Sequence, residues 1–554
     1  VARFNTTNHR TRPAVATTTS PIATVSKTPD TRTFEGAAGW TRTAKAELFL
    51  RAAGAFHGGV GSFYENAEKR DERLRELLRT VAIEDPQWCV EFATWLRGPG
   101  NIRTGALMFA VEFVHERLAH MKGAGVIDHC NRQIINAACQ RPDEPGEILA
   151  IWTAWFGRRI PKPVKRGVAD AVRRLYHPKS LLKWDTASKG YRFGDVLNLV
   201  HAAPDPDKPW QGDLFQYALD RRHHPDTAVV PKSLPMVAAH RSLMEMSVEE
   251  RRKFMRVPHI DKVLADAGMT WEALAGWLQG PMDKAAWEAV IPSMPFMAQL
   301  RNLRNFDEAG VSDKVAQQVI DRLTDPEDIA KSRQFPFRFH TAYREAPSLR
   351  WAHALDKALT ASLSNVPFLG GSTLIMVDTS SSMEHRVSEK SSVLRWDAAT
   401  LFGVALGQRC AKAEVVSFSS TRRWMGDPPG ANTKTFQLKK GESLLRSIDR
   451  WKADGFFLGG GTDTMLAVKR HFAGHDRVVI ITDEQAHDGD PGSVIPKDTP
   501  LYTWNLAGYE AAHTSSGSNA RFSLGGLTDK AFTLIPILES GAQGTWPWKV
   551  DATA

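Results

Sequence analysis

From about Ala44 to Leu363 the apolar residues recur at three- and four-residue spacing with almost no strand pattern among them, and after Pro367 that period breaks. A chain that switches period in this way builds two modules of different class. The first part runs through segments such as "AELFLRAAGAF", "PQWCVEFATWLR", "GALMFAVEFVHERLAHM" and "GEILAIWTAWFG", punctuated by Pro or Gly. Lacking the single seam of a bundle, such a series is expected to stack as an α-solenoid, each helix pair burying its apolar face on the next. Past "NVPFLGGS" the strand-like runs "STLIMVD", "AEVVSFS", "RVVIITDE" and "PLYTWNLAG" alternate with helical runs such as "WDAATLFGVALGQRC" and "TDTMLAVKRHF". Strand and helix in alternation imply a parallel sheet wrapped by helices, a doubly wound α/β domain.

Length agrees: 554 residues exceed what one core holds, since single cores stop growing at roughly 250–300 residues. The expected division is residues 1–35 as a disordered arm, 36–365 as the helical-repeat module and 366–554 as the α/β module. The arm is rich in Thr, Pro and Ala without an apolar period, so it cannot bury enough surface to fold alone. It has neither an amphipathic transit pattern nor the apolar stretch of a secretory signal. No apolar run reaches the roughly eighteen residues a membrane span needs, so no membrane partner is expected. Cys89, Cys130, Cys139 and Cys410 show no paired ligand spacing and are too sparse for a disulfide framework, which points to reduced thiols in a cytoplasmic protein.

Within the α/β module the chemistry gathers at strand ends, where ligands bind in such sheets. The run "LIMVD" leads straight into "TSSSM", and the spacing of Asp378, Ser380 and Ser382 puts three oxygen-bearing side chains on one side of a loop. "GGGTDT" offers Thr462 behind three glycines, and "VVIITDE" ends in Asp483. Two carboxylates and several hydroxyls, all oxygen, describe a site for a hard divalent cation, Mg²⁺ above all. Zinc would want Cys or His at short spacing, which these loops lack. Hydrolysis would need a positioned base beside the cation; Glu384, His385 and Glu484 are near in sequence, but nothing fixes one on a substrate. Binding without turnover is expected, with no catalytic residue.

The net charge of +9 and pI near 9.3 point to a polyanion only where the charge clusters. It does so in "GRRIPKPVKRGVADAVRRLYHPKSLLKW", with few acids among the cations. For any single one of these residues a solvated helix face is the plainer reading; as a group they suit a phosphate backbone.

The D-x-S-x-S, Thr, Asp order resembles the metal-ion-dependent adhesion site of von Willebrand factor A domains, in which a partner's carboxylate often completes the cation's shell. Ahead of it, "FEGAAGW", "LFLRAAGAFHGGVGSFYE", "LRGPGNIRTGALMFAV", "YRFGDVLNLVH", "MPFMAQLRNLRNF" and "SRQFPFRFHTAYRE" occur in that order. This succession resembles the TROVE module of the Ro ribonucleoprotein family, here of bacterial type. The resemblance implies a monomeric ring of HEAT-like helical repeats closed by the A domain. It also implies binding of small noncoding Y RNA on the outer basic surface, and of single-stranded 3′ ends of misfolded RNA in the central hole. The implied role is RNA quality control with an exoribonuclease.

His201, closing "DVLNLVH", and Lys183 match the family's Y RNA-site histidine and lysine. The family's following arginine is replaced by Ser188 or Lys189 after a one-residue shift, and Asn198 stands in "LNL" where the family has "LRL". These departures take cations from the Y RNA mode and leave the hole untouched. The candidate RNA-binding set is Lys162, Lys165, Arg166, Lys183, Lys189, Arg192 and His201. A different class of function fits the same modules, a metal-dependent protein-binding adaptor with the helical array as scaffold.

Overall fold

The computed structural model describes residues 67–120, 129–386 except 347, 393–421, 428, 430–483, 490–506, 520–525 and 532–541, with 31, 32, 38, 39, 43–45, 48, 49, 546 and 548 besides. Most of the expected arm, the stretch "HGGVGSFY" and Glu484 lie outside the described residues. Inside the arm's expected bounds, Thr31–Arg32 pairs antiparallel with Ala38–Gly39, a two-residue ladder that the Thr/Pro-rich composition did not announce.

From Ala67 to Asn365 every regular element described is helical. The first eight helices used below are α1 (Ala67–Glu84), α2 (Pro86–Arg97), α3 (Thr104–His120), α4 (Cys130–Ala138), α5 (Glu144–Phe156), α6 (Lys162–Leu175), α7 (Pro178–Trp184) and α8 (Phe193–Val200). Local signals set their ends: Asp85 caps α2 by accepting the Trp88 N–H at 3.1 Å, Pro86 opens it, and Gly98 follows it. Apolar stripes turn inward, as on α6 with Val164, Val168, Ala171 and Val172, which packs chiefly on α4 and α8. The array comes back on itself: the Arg333 guanidinium near its far end donates to the Gly98 carbonyl at 3.1 Å. It ends with α9 (Pro336–Glu345) and α10 (Leu349–Ala361).

The second module is a six-stranded sheet of β1 (Leu369–Asp378), β2 (Cys410–Ser420), β3 (Ala431–Phe436), β4 (Arg477–Thr482), β5 (Leu501–Asn505) and β6 (Arg521–Gly525), in the order β3-β2-β1-β4-β5-β6. All neighbours are parallel except β3, an antiparallel edge strand on β2. The alternation pattern missed β3 and β6: β3 reads "ANTKTF", too polar to stand out, and β6 is short. Between the strands run α11 (Arg395–Gln408), α12 (Leu444–Ala453), α13 (Thr464–His471) and, after β6, α14 (Leu534–Gly541).

The sheet divides the core by side-chain parity. Leu374 and Met376 of β1 face α13 with Ala467 and Val468. Ile375 and Val377 face α11 in a core continuous with that of the helical array. Gly403 of α11 permits this approach, because a Cβ there would stand 2.5 Å from Val377 Cγ2. The modules meet through α9 and α11, with Phe337 and Phe402 rings 5.7 Å apart.

A second seam joins the far ends of the molecule. Trp546 and Trp548, stacked on each other at 5.3 Å, lie over Phe49 and α2: Trp88 is 5.0 Å from Trp546 and Phe92 is 5.6 Å from Trp548. The Trp548 indole N–H donates to Glu91 at 2.9 Å. Among the described residues no disulfide joins the four cysteines, and no helix is long and apolar enough to cross a membrane.

Candidate cation site and basic face

The strand order reverses at β1: the chain goes from β1 to β2 on one side and later to β4 on the other. In an open parallel sheet the crevice at such a switch, beyond the carboxyl ends of the strands, is the ligand position. Asp378 ends β1 there and Asp483 follows β4 directly.

Asp378 is fully buried; its Oδ1 accepts the Ser380 N–H at 2.9 Å and its Oδ2 the Thr482 hydroxyl at 2.6 Å. Ser380 and Ser382 hydroxyls share a hydrogen bond at 3.1 Å. The intervening residues tie the loop down instead. Thr379 Oγ1 bonds Ser417 Oγ at 2.8 Å, and Ser381 Oγ accepts the Gly460 N–H at 2.9 Å while the Ser381 N–H donates to the Gly460 carbonyl at 2.9 Å. Gly459 and Gly460 hold φ of 65° and 80°, the left-handed region that favours glycine, so the loop carrying buried Thr462 closes on the serine loop.

Asp483 is also fully buried. Its Oδ2 lies 3.4 Å from Arg395 Nη1, and its Oδ1 has no hydrogen-bond partner among the described residues. Burial, and secondly the charge of Asp483, push the Asp378 carboxyl up to about 7. Two dry carboxylates, one with an oxygen left unsatisfied, are short of positive charge. The donor set of Asp378, Ser380, Ser382, Thr462 and Asp483 is all oxygen and fits a hard divalent cation. Arg395, opening α11, is the site residue that the strand-end loops did not reveal; it stands 88 positions from Asp483, with no local spacing to flag it.

The basic candidates fall into two groups. Lys162 and Arg166 are exposed on α6, Lys165 is half-buried beside them, and Lys183 is exposed on α7; none makes an ion pair with a described residue. His201 caps α8 in the left-handed region, φ 52°, with its side chain exposed. Lys189 and Arg192, each half-buried, are instead engaged in ion pairs. Lys189 pairs with Asp143 at 3.1 Å, and Arg192 with buried Asp185 at 2.9 Å.

Asp143 belongs to a network with fully buried Glu144, which pairs with Arg97 at 2.7 Å and Arg103 at 3.0 Å. Burial opposes the ionised form of Asp143, but Lys189 and Arg141 outweigh it and hold the carboxyl below its ordinary value. Trp184 carries three cations about its ring: Arg141 at 4.4 Å, Lys183 at 5.0 Å and Lys189 at 5.8 Å. On α3, Glu112, His115 and Glu116 cluster within 4.8 Å, but Arg75 and Arg79 already neutralise the two carboxylates.

Against known proteins, the family described as TROVE domain matches residues 266–349. "Telomerase protein component 1" of Mus musculus is 31% identical over 166 residues, 28% of this chain and 6% of its own length. "RNA-binding protein RO60" of Caenorhabditis elegans is 32% identical over 147 residues, 24% of this chain and 22% of its own. The chain thus spans well under two thirds of these relatives. The crystal structure of the Deinococcus radiodurans RO (RSR) protein superposes with a TM-score of 0.68 at 17% identity, covering 90% of this chain and 100% of that one. Residues 266–349 thus match the TROVE domain, and the chain has the two-module fold of that Ro protein structure, helical repeats followed by a six-stranded α/β domain.

Proposed function

We propose that this chain is an RNA-binding protein of the Ro type, taking structured noncoding RNA of the Y type on the face formed by α6 to α8. In the same reading the closed helical array admits the single-stranded 3′ ends of misfolded RNA and hands them to an exoribonuclease in the cytoplasm. The observation that carries the reading is the set of cations on α6 and α7, Lys162, Lys165, Arg166 and Lys183, with no acidic partner among the described residues and exposed His201 nearby in sequence. Uncompensated cations are what a phosphate backbone needs, whereas Lys189 and Arg192 are already engaged with Asp143 and Asp185. Their work is to hold the face in shape.

The test is an electrophoretic shift series with a folded RNA carrying a single-stranded tail, at two salt levels. Binding should weaken steeply with salt; absent or salt-indifferent binding overturns the reading. The buried carboxylates support a second activity of the other module, divalent-dependent capture of an acidic residue on a protein partner. Replacing Asp378 by Ala should abolish that capture and leave RNA binding intact. RNA cleavage lost in the same variant would instead argue for a nuclease.

A further inference from the structure

The segment "FPFRFHTAYRE" forms α9, and RNA binding gives it no task. Its Arg344 reaches across the module boundary: Nη1 meets Asp397 Oδ2 at 2.6 Å. Asp397 lies in the first turn of α11, is 3% exposed, and is also held by Lys452 of α12 at 2.9 Å through its other oxygen. Two residues earlier on the same turn, Arg395 points the other way, to Asp483 at the cation site. The Arg395 N–H is itself bonded to the His385 carbonyl at 2.9 Å, so the serine loop and the turn share an anchor.

One helical turn therefore carries two charges facing two places. Asp397 is clamped by the array and by α12, while Arg395 neutralises one oxygen of Asp483. A guanidinium on Oδ2 and a divalent cation on the unpartnered Oδ1 answer the single negative charge of one carboxylate, so each weakens the other's hold. Whatever fixes the turn also fixes how firmly Arg395 competes.

We infer that Arg395 is a resident counter-ion that competes with the divalent cation for Asp483, and that Arg344 of the helical array, by clamping Asp397, sets the strength of that competition. Cation loading and the seating of the array's last helices on the A module are then linked. By reciprocity, the factor by which the clamp lowers cation affinity is the factor by which the cation loosens the clamp. The inference rests on the cation-site reading and goes beyond it, to regulation between modules. It requires no change of fold, only a turn whose two side chains have alternative partners.

The experiment is titration of the full chain with Mn²⁺, read by the paramagnetic resonance of the free ion, with hydrogen exchange of α9 as a second readout. Wild type, Arg395→Gln, Arg344→Gln, the pair together and Arg344→Lys are compared, each checked for native circular dichroism. Arg395→Gln should bind Mn²⁺ about tenfold more tightly, in the range usual for coupled sites. Arg344→Gln should also bind more tightly, by a smaller factor, while Arg344→Lys restores the wild-type value.

In the double variant the Arg344 change should add nothing, since its effect runs through Arg395. Mn²⁺ should speed exchange in α9 of the wild type and not in Arg395→Gln. An Arg344→Gln affinity equal to wild type, or an effect that persists undiminished without Arg395, overturns the coupling. A wild type that binds no Mn²⁺, with Asp378→Asn alike, sinks the cation site itself, which keeps the two failures apart.

Discussion

Acidification tests the module boundary through a single residue. His340 on α9 is 4% exposed, its Nδ1 has no partner among the described residues, and burial holds its pKa down to about 4 from the ordinary 6.5. Arg344 and Lys452 push in the same direction, and Asp397 pushes back. The folded chain therefore keeps this imidazole neutral where the unfolded chain protonates it. A depressed pKa contributes stability that is fully present above 6.5 and is lost as pH falls toward about 4.

At pH 5 the unfolded histidine lies about 1.5 pH units into protonation while the folded one remains neutral, so the loss relative to pH 7.5 is about 2 kcal/mol at ~1.4 kcal/mol per unit. The variant His340→Gln has no such group. Urea midpoints of the two proteins, followed by tryptophan fluorescence at pH 7.5 and pH 5, isolate the term, because all other titrating groups are common to both. Wild type should lose about 2 kcal/mol more than the variant across that interval. Equal losses would refute the claim that a buried neutral imidazole sits at the boundary.

Other expectations follow from the same geometry. Asp378 has a folded pKa raised to about 7, so its contribution is present at low pH and is lost as pH rises from about 4 through 7; in chelator at pH 8, Asp378→Asn should be more stable than wild type by up to about 4 kcal/mol in urea melts, and Mn²⁺ should no longer raise its melting temperature. Gly403→Ala forces a methyl against Val377 and should cost about 1–3 kcal/mol by the same melts, with the Mn²⁺ effect retained. Lys162→Gln and Arg166→Gln should each lower the slope of log affinity against log salt by about 1 in RNA shift assays, whereas Lys189→Gln should show itself mainly as lost stability.

The parts of this molecule written in neighbouring residues were legible in its sequence. The apolar run of β1 ending in Asp378, the glycines before Thr462 and the change of period near Pro367 each act within a few positions, and each stands where the pattern put it. What escaped depends on partners far along the chain. Lys189 is engaged by Asp143, 46 residues away; Arg192 is the exception, held by buried Asp185 only 7 positions back. No spacing rule separates them from exposed Lys162. Arg395 opposite Asp483 is a product of folding within the second module, 88 positions apart, and Arg344 opposite Asp397 of packing the two modules together. The polar edge strand β3 was hidden for another reason: with one face on solvent, it needs few apolar residues to be a strand.

The tryptophan seam has a consequence for how the chain is made. Glu91 and its partner Trp548 are 457 residues apart, so at about 5–20 residues per second the ribosome needs roughly 20–90 s to supply the covering rings after α2 has emerged. Throughout that interval Trp88 and Phe92 lack two of the rings that later cover them. Until Trp546 and Trp548 arrive, the nascent chain carries an aromatic surface open to aggregation.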